Sequence, residues 1–189
     1  MSLILLAALL VPCLVLIFLE SSGVKTTMSL HFRGDIKRES RFLAQYGQSV
    51  SAPLAALLVW QLDPTDPARR ALAVFVATAI ASLSAWVLKR LFGRARPNRE
   101  HAGKFLGPTL KHANWRESFP SSHSACAVAM SVVLAHLYPP AAVTFWTLAI
   151  LCAALRYVLD AHWPSDVLAG IALGYVCAHL TMQYVVKIA

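Results

Sequence analysis

The sequence predicts an all-α polytopic membrane protein with six transmembrane helices and a functional site at one membrane face. Three observations support this fold class. The chain is 58% hydrophobic and only 14% charged, whereas about 25% of the residues of a soluble domain are charged. Its apolar residues gather in six runs, and about 20 such residues make a helix that crosses a bilayer. The length of 189 residues suits a single domain.

Each apolar run is expected to form one span of a single transmembrane domain, residues 1–189. The predicted spans are residues 3–19, 42–62, 71–92, 122–138, 141–160 and 164–186. No Lys or Arg precedes the first run, although the start of a secretory signal peptide normally carries one. We therefore expect an uncleaved first span, and a signal peptide is the alternative.

With six spans, the connecting segments alternate between the two membrane faces. Segments 20–41, 93–121 and 161–163 then share one face, opposite segments 63–70 and 139–140. Most of the 17 Lys and Arg residues lie on the first face or at the span ends that reach it. Basic residues placed between apolar runs favour anionic lipid headgroups or a phosphorylated substrate as partners, and not nucleic acid.

The first polar cluster is Lys89 with Arg96 and Pro97, at the end of the third predicted span. Charged groups at such a place are costly and indicate function by default. Lys89 lies two helical turns before Arg96, so both side chains point to one place if the helix continues. The alternative is that both cations only reach for lipid headgroups.

The second cluster, Pro120-Ser121-Ser122-His123, opens the fourth predicted span. Ser121 or Ser122 is expected to be the N-cap of that helix. The unpaired N–H groups of its first turn favour an anion, and His123 beside that anion can donate a proton. The alternative is an ordinary helix start with an interfacial histidine.

The third cluster is Arg156, His162 and Asp166, around the start of the sixth predicted span. An Asp that accepts a hydrogen bond from one imidazole nitrogen leaves the other with a free lone pair. The fork of an Arg matches phosphate oxygens. The alternative is a structural ion pair at a span boundary.

Together the three clusters hold the groups that phosphoryl transfer needs. Three cations can surround one phosphoryl group, one imidazole can attack it, and a second can protonate the leaving oxygen. The acidic residues form no cluster for a divalent ion, and the four cysteines form no CxxC pair. The sequence therefore predicts no metal site and no cofactor.

These residues resemble the three motifs of the type-2 phosphatidic acid phosphatase superfamily, K-x6-R-P, P-S-G-H and S-R-x5-H-x3-D. The matching segments are KRLFGRARP at 89–97, PSSH at 120–123 and LRYVLDAHWPSD at 155–166. Order, spacing and placement at span ends all agree. Two positions depart from the pattern: Ser122 stands in place of Gly, which permits close backbone approach, and Leu155 stands in place of Ser.

The resemblance implies a membrane lipid phosphatase that works through a phosphohistidine without a metal. His162 would be the nucleophile and Asp166 would activate it. His123 would protonate the leaving oxygen and then act as the base for water. The implied phosphate-binding residues are Lys89, Arg96, Arg156, Ser121 and Ser122.

The resemblance also sets the expected substrates and location. The candidate substrates are undecaprenyl pyrophosphate, phosphatidylglycerophosphate and phosphatidate. The other lipids of the membrane are the remaining expected partners. The expected location is a bacterial inner membrane, with the site facing the periplasm or outside. The distribution of Lys and Arg favours the opposite orientation by the positive-inside rule.

Four other interpretations stay open at this point. The same site could serve a lipid phosphotransferase or a lipid A phosphatase. Histidines in apolar runs are also typical of a membrane haem protein, and here they are His123, His136, His162 and His179. A catalytically silent binding protein is the last alternative, and the intact set of polar residues argues against it.

Overall fold

The computed structural model describes residues 1–28, 30 and 33–186, and that part of the chain is helical with no strand. Its α-helices are α1 (Leu3–Ser21), α2 (Gly34–Ala44), α3 (Ser51–Leu62), α4 (Pro67–Phe92), α5 (Ser122–Leu137), α6 (Ala142–Val158) and α7 (Pro164–Thr181). A π-helical turn, Met182–Val186, follows α7. The predicted all-α class is confirmed.

Local sequence explains where the helices that carry the site begin and end. Asp66 caps α4 through its side chain, and Pro67 occupies the first helical position, where a missing N–H costs nothing. Gly93 ends α4 in the left-handed conformation, at φ 58°, which glycine adopts without strain. Ser121 caps α5 by accepting a hydrogen bond from the N–H of Ser124.

Helix α5 is the centre of the structure. Every residue from Ser124 to Leu134 is buried, because α4, α6 and α7 all pack against it. On the outside, α3 lies against α4 and α1 lies against α7. A helix that is apolar all round is expected at such a place.

Gly170 and Gly174 bring α7 unusually close to α5. A Cβ atom on Gly170 would lie 2.4 Å from the carbonyl oxygen of Ser121, and one on Gly174 would lie 2.2 Å from that of Ala125. The two glycines are spaced as GxxxG, a pattern that permits close approach of membrane helices. This contact sets the distance between the first turns of α5 and α7.

Four described helical segments are long and apolar enough to cross a membrane: Leu3–Ser21, Pro67–Phe92, Pro139–Val158 and Pro164–Val185. The predicted span 42–62 is not one straight helix, because Gly34–Gly47 and Ser51–Leu62 meet at an angle of 63°. If that bent pair counts as one span, the total is five. Helix α5 matches the predicted span 122–138 but is shorter than the others, so the count of six is not confirmed.

The close contact of α7 with α5 gives a first testable prediction. Replacing Gly174 with Val should destabilise the protein by about 1–3 kcal/mol, because the added atoms overlap the backbone of α5. Thermal unfolding in detergent measures this. The control is Ala154→Val, which adds two methyl groups at an exposed position of α6. Equal unfolding temperatures for the two variants would contradict the packing argument.

Candidate active site

The first motif contributes two cations that meet at one backbone carbonyl. Lys89 lies in the last turn of α4, and its Nζ donates a hydrogen bond of 2.8 Å to the carbonyl oxygen of Glu117. The helix ends before Arg96, whose Nη2 donates to the same oxygen at 3.4 Å and whose Nη1 donates to Ala161 O at 2.8 Å. The predicted convergence of Lys89 and Arg96 therefore occurs, but through a loop and not through a continued helix.

Arg156 is the third cation of the site, and one of its guanidinium nitrogens lacks a hydrogen-bond partner among the described residues. Its Nε is buried without a hydrogen bond, and it lies close enough to Arg96 for the two charges to interact. Among the described residues, no carboxylate lies within ion-pair distance of Lys89, Arg96 or Arg156. The carboxylate of Glu117 instead accepts hydrogen bonds from His112 and the N–H of Ala113. Such a group of cations favours an anion, because a buried charge without a partner is costly.

The second motif opens α5 beside these cations. All three of them act electrostatically on His123, which is half-buried, as is Ser122. The N–H groups of Ser122 and His123 lie in the first turn, where an α-helix offers them no partner. An anion held by the cations would therefore also face the N-terminus of α5.

Ser121 is predicted to bind phosphate, but its hydroxyl and its N–H form hydrogen bonds within the protein. Its side chain is fully buried and accepts from the N–H and the hydroxyl of Ser124. Its own N–H donates a hydrogen bond of 2.9 Å to the carbonyl oxygen of Asp166. In this structure Ser121 thus joins α5 to α7, and the half-buried residues of the motif are Ser122 and His123.

His162 is held with one defined nitrogen free. Its Nδ1 lies 2.8 Å from the carbonyl oxygen of Ser118. A carbonyl only accepts, so Nδ1 carries the proton and Nε2 has the lone pair. Burial lowers the pKa of His162 well below its ordinary value, and the charges of Lys89 and Arg96 lower it further while Asp166 opposes them. The ring is therefore neutral at pH 7.

The sequence predicts that Asp166 accepts a hydrogen bond from His162, but the two side chains lie too far apart for one. Oδ2 of Asp166 lies 3.6 Å from Nδ1 of His162, beyond a good hydrogen bond, and the carbonyl of Ser118 takes the expected place. The same carboxylate oxygen accepts from the hydroxyl of Ser118 at 2.5 Å and from the N–H of Trp163 at 3.0 Å. Asp166 is thus fixed beside the ring and acts on it mainly through its charge.

Sequence analysis did not identify four residues that organise this site. Arg94 donates to Asp166 Oδ1 at 2.6 Å, to Ser165 Oγ at 2.6 Å and to Glu20 Oε2 at 2.8 Å. Ser118 supplies the carbonyl that holds His162. A signal existed for two of them, since Arg94 lies within the first motif and Glu20 is a carboxylate at the end of an apolar run. No local signal marked Ser118 or Ser165.

The structure brings the predicted catalytic and phosphate-binding residues to one end of the helix bundle. Leu155, the second departure from the motif pattern, is half-buried in α6 next to Arg156. Among the residues that the structure describes, no three His, Cys, Asp or Glu side chains converge in a way that could hold a metal ion. The arrangement combines a neutral imidazole, a second imidazole and three cations with a helix N-terminus.

Comparison with known proteins points to one family. The sequence profile of the PAP2 superfamily matches residues 70–189. The chain is 42% identical over 103 residues to the lipid A 1-phosphatase of Rhizobium etli, covering 53% of this chain and 44% of that protein. It is 28% identical over 156 residues to the decaprenylphosphoryl-5-phosphoribose phosphatase of Mycolicibacterium smegmatis, covering 78% of each. The match thus spans less than half the length of the Rhizobium protein.

The fold has a close counterpart among solved structures. A transmembrane PAP2-type phosphatidylglycerolphosphate phosphatase from Bacillus subtilis superposes with a TM-score of 0.66 over 97% of both chains, at 20% identity. At that identity the similarity concerns the fold alone. Together with the long apolar helices of this chain, it identifies an integral membrane protein.

The three cations of the site give a second testable prediction. Orthovanadate, an analogue of phosphate, should raise the unfolding temperature of the detergent-solubilised protein. At 100 times its Kd, the ligand should add about 2.7 kcal/mol to the free energy of unfolding. Arg156→Gln should lose most of this shift, since the Nε of Arg156 has no partner among the described residues. Arg69→Gln, which changes an exposed arginine at the start of α4, is the control. A full vanadate shift in Arg156→Gln would contradict the assignment.

Proposed function

The chain belongs to the PAP2 superfamily, and on that premise we propose that it is a membrane lipid phosphatase. It hydrolyses a phosphate monoester or a pyrophosphate on a lipid, through a phosphohistidine on His162. The observation that carries the proposal is the hydrogen bond from Nδ1 of His162 to the carbonyl oxygen of Ser118. It leaves a lone pair on Nε2 of a ring that lies within electrostatic reach of Lys89 and Arg96.

The first half of the reaction forms the phosphohistidine. Nε2 of His162 attacks phosphorus, and the bond from phosphorus to the lipid oxygen breaks as the new bond from nitrogen to phosphorus forms. His123 gives a proton to the departing oxygen. Lys89, Arg96 and Arg156 stabilise the charge on the phosphoryl oxygens, which is where electrostatic catalysis of phosphoryl transfer acts.

The second half releases phosphate. Water attacks the phosphorus, His123 accepts its proton, and the bond from Nε2 to phosphorus breaks with its electrons returning to the ring. No step requires a metal, because the cations of the chain neutralise the phosphoryl oxygens. Asp166 stabilises the positive charge that the ring carries while Nδ1 keeps its proton.

The burial of the site residues indicates how a headgroup enters. His162 has only 1% of its surface exposed, whereas Arg96, Ser122, His123 and Arg156 are half-buried. We place the phosphoryl group between these two sets, with His162 at the floor and the half-buried residues at the mouth. A lipid presents its phosphate at the membrane surface, the depth at which the N-terminus of α5 and the C-terminus of α4 lie if their apolar parts span the bilayer.

Undecaprenyl pyrophosphate, phosphatidylglycerophosphate and phosphatidate are the proposed substrates. A lipid A phosphate is the second candidate, and the 42% identity to a lipid A 1-phosphatase favours it. All four present a terminal phosphoryl group next to an apolar body. A phosphotransferase would use the same phosphohistidine and pass the phosphate to another hydroxyl group in place of water.

A third prediction tests the nucleophile. In excess EDTA, the purified protein should release phosphate from at least one of the four lipids, and His162→Ala should reduce that release to the background. Malachite green detection of free phosphate measures it. Full activity in His162→Ala, or loss of wild-type activity in EDTA, would contradict the mechanism.

A second variant tests the proton donor of the reaction and not its nucleophile. His123→Asn removes the proton donor but keeps the nucleophile, so it should slow formation of the phosphohistidine from lipids far more than from p-nitrophenyl phosphate, whose leaving group needs no protonation. Because His123 also serves as the base for water, a burst of nitrophenol should precede slow release of phosphate. Phosphorylated acceptor accumulating without free phosphate would indicate the transferase.

We also propose that the protein lies in a bacterial inner membrane, with the site facing the periplasm or outside. The polar segment 93–121 then lies on the outer side and the loop 63–66 on the inner side. Part of the basic excess on the outer side is accounted for by Lys89, Arg96 and Arg156 in the phosphate site.

The fourth prediction addresses this orientation with single cysteines. The chain's own four cysteines are buried, so a membrane-impermeant maleimide should report introduced ones. We expect Asn98→Cys to be labelled in intact cells and Pro64→Cys only after lysis, since both positions are exposed. The reverse pattern would place the site on the cytoplasmic side.

A further inference from the structure

A buried ion pair lies next to the site and has no part in the mechanism above. Nη2 of Arg94 donates to Oε2 of Glu20 at 2.8 Å, and both side chains are 0% exposed. Glu20 lies in the last turn of α1, 74 residues before Arg94. Burying two charges costs several kcal/mol each unless their geometry compensates. A pair in this position therefore calls for a functional explanation.

The guanidinium of Arg94 is fixed from every side. Its Nε donates to the carbonyl oxygen of Gly103 at 3.2 Å, and its Nη1 donates to Ser165 Oγ at 2.6 Å. The rings of Phe105 and Trp163 lie 4.9 and 5.5 Å from its central carbon. Ser165 in turn donates to the carboxylate of Glu20. The group has no freedom to turn towards a substrate.

Both acceptors near Nδ1 of His162 are held by Arg94. Its side chain binds Asp166 Oδ1 at 2.6 Å. Its backbone carbonyl accepts from the N–H of Ser118 at 3.0 Å, and Ser118 presents the carbonyl that accepts from His162. Arg94 thereby sets the orientation of the imidazole without touching it.

The charges of this cluster do not balance. One guanidinium lies between two carboxylates, those of Glu20 and Asp166, so one negative charge is left over. When Nε2 of His162 bonds to phosphorus and Nδ1 keeps its proton, the ring becomes positive. The remaining negative charge then stabilises the ring. Without Glu20, Arg94 and Asp166 would neutralise each other, and the ring would lose this stabilisation.

We propose that Glu20 is a positioning residue for phosphoryl transfer: by sharing the guanidinium of Arg94, it leaves Asp166 a negative charge that stabilises the cationic ring of His162. The inference rests on the proposed function. It makes α1 part of the active site, because α1 supplies the carboxylate that completes the cluster.

Other charged and titratable groups lie around Glu20 and His162, and the experiment must distinguish their effects from that of Glu20. Lys89 and Arg96 act on His162 against the carboxylates. Thr26 donates to Glu20 Oε1 at 3.0 Å, while Cys13 and Tyr157 lie within electrostatic reach of Glu20. Neutralising Glu20 leaves the cations in place, so it should make His162 harder to protonate.

The fifth prediction compares Glu20→Gln with Asp63→Asn. Both changes neutralise a buried carboxylate that binds an arginine, and Asp63 pairs with Arg70 at 2.8 Å outside the site. Glu20→Gln should lower kcat about tenfold or more, because the cationic ring loses electrostatic stabilisation during phosphoryl transfer, with KM within about twofold. The acid limb of kcat/KM should move to lower pH, because a lost negative charge disfavours the protonated ring. Asp63→Asn should keep the wild-type kcat and acid limb.

Nitrogen-15 NMR of His162 supplies a readout that needs no turnover. We expect its titration to move to lower pH in Glu20→Gln and to stay unchanged in Asp63→Asn. If the wild type releases phosphate from no lipid, the proposed function fails while this titration still tests the cluster. A folded Glu20→Gln with wild-type kcat and wild-type titration would overturn the inference.

A conservative variant covers the case in which Glu20→Gln does not fold. Glu20→Asp keeps the negative charge with a shorter side chain, so it should retain most of kcat and the wild-type titration of His162. Loss of activity in Glu20→Asp as complete as in His162→Ala would overturn the charge argument and leave Glu20 a purely structural residue.

Discussion

The geometry of the site depends on the buried guanidinium of Arg94. It binds the carboxylates of α1 and α7, and the backbone carbonyl of the same residue accepts from the N–H of Ser118, whose carbonyl holds His162. An arginine suits this place because its planar fork satisfies several acceptors at fixed angles, whereas a lysine offers a mobile point charge. Removing one partner from such a network leaves an uncompensated buried charge, so the cluster forms as a unit. The position of His162 follows from it.

The arginines of the site divide into two kinds with opposite energetics. Arg94 has acceptors for all its nitrogens and stabilises the protein itself. Arg156 has a buried Nε without a partner, and that cost is recovered only when an anion is present. A cation without an internal partner gains most from phosphate, because a satisfied cation has less to gain. The hydrogen-bond pattern therefore distinguishes Arg156 from Arg94, while Lys89 and Arg96 have backbone carbonyls as acceptors.

Much of the architecture could be predicted because membrane helices follow local rules. Apolar runs gave the ends of α5 and α6 to within two residues, since the chain needs apolar side chains wherever it is surrounded by lipid or protein. The bend between α2 and α3 could not be predicted, since the composition of 42–62 is that of one span. Gly47 lies at this bend, and a Cβ at that position would lie 2.2 Å from the carbonyl oxygen of His123, so only glycine lets this segment approach α5.

The sequence by itself indicated that Lys89, Arg96, Arg156, His123 and His162 lie at the ends of apolar runs, because the length and composition of such a run are local properties. The tertiary structure decided what each of them contacts. It replaced the expected partner of His162 with Ser118, occupied Ser121 as a helix cap and joined Glu20 to Arg94 across 74 residues. The physical reason is that buried polar groups must find partners wherever packing places them, and packing brings together residues whose separation along the chain carries no signal.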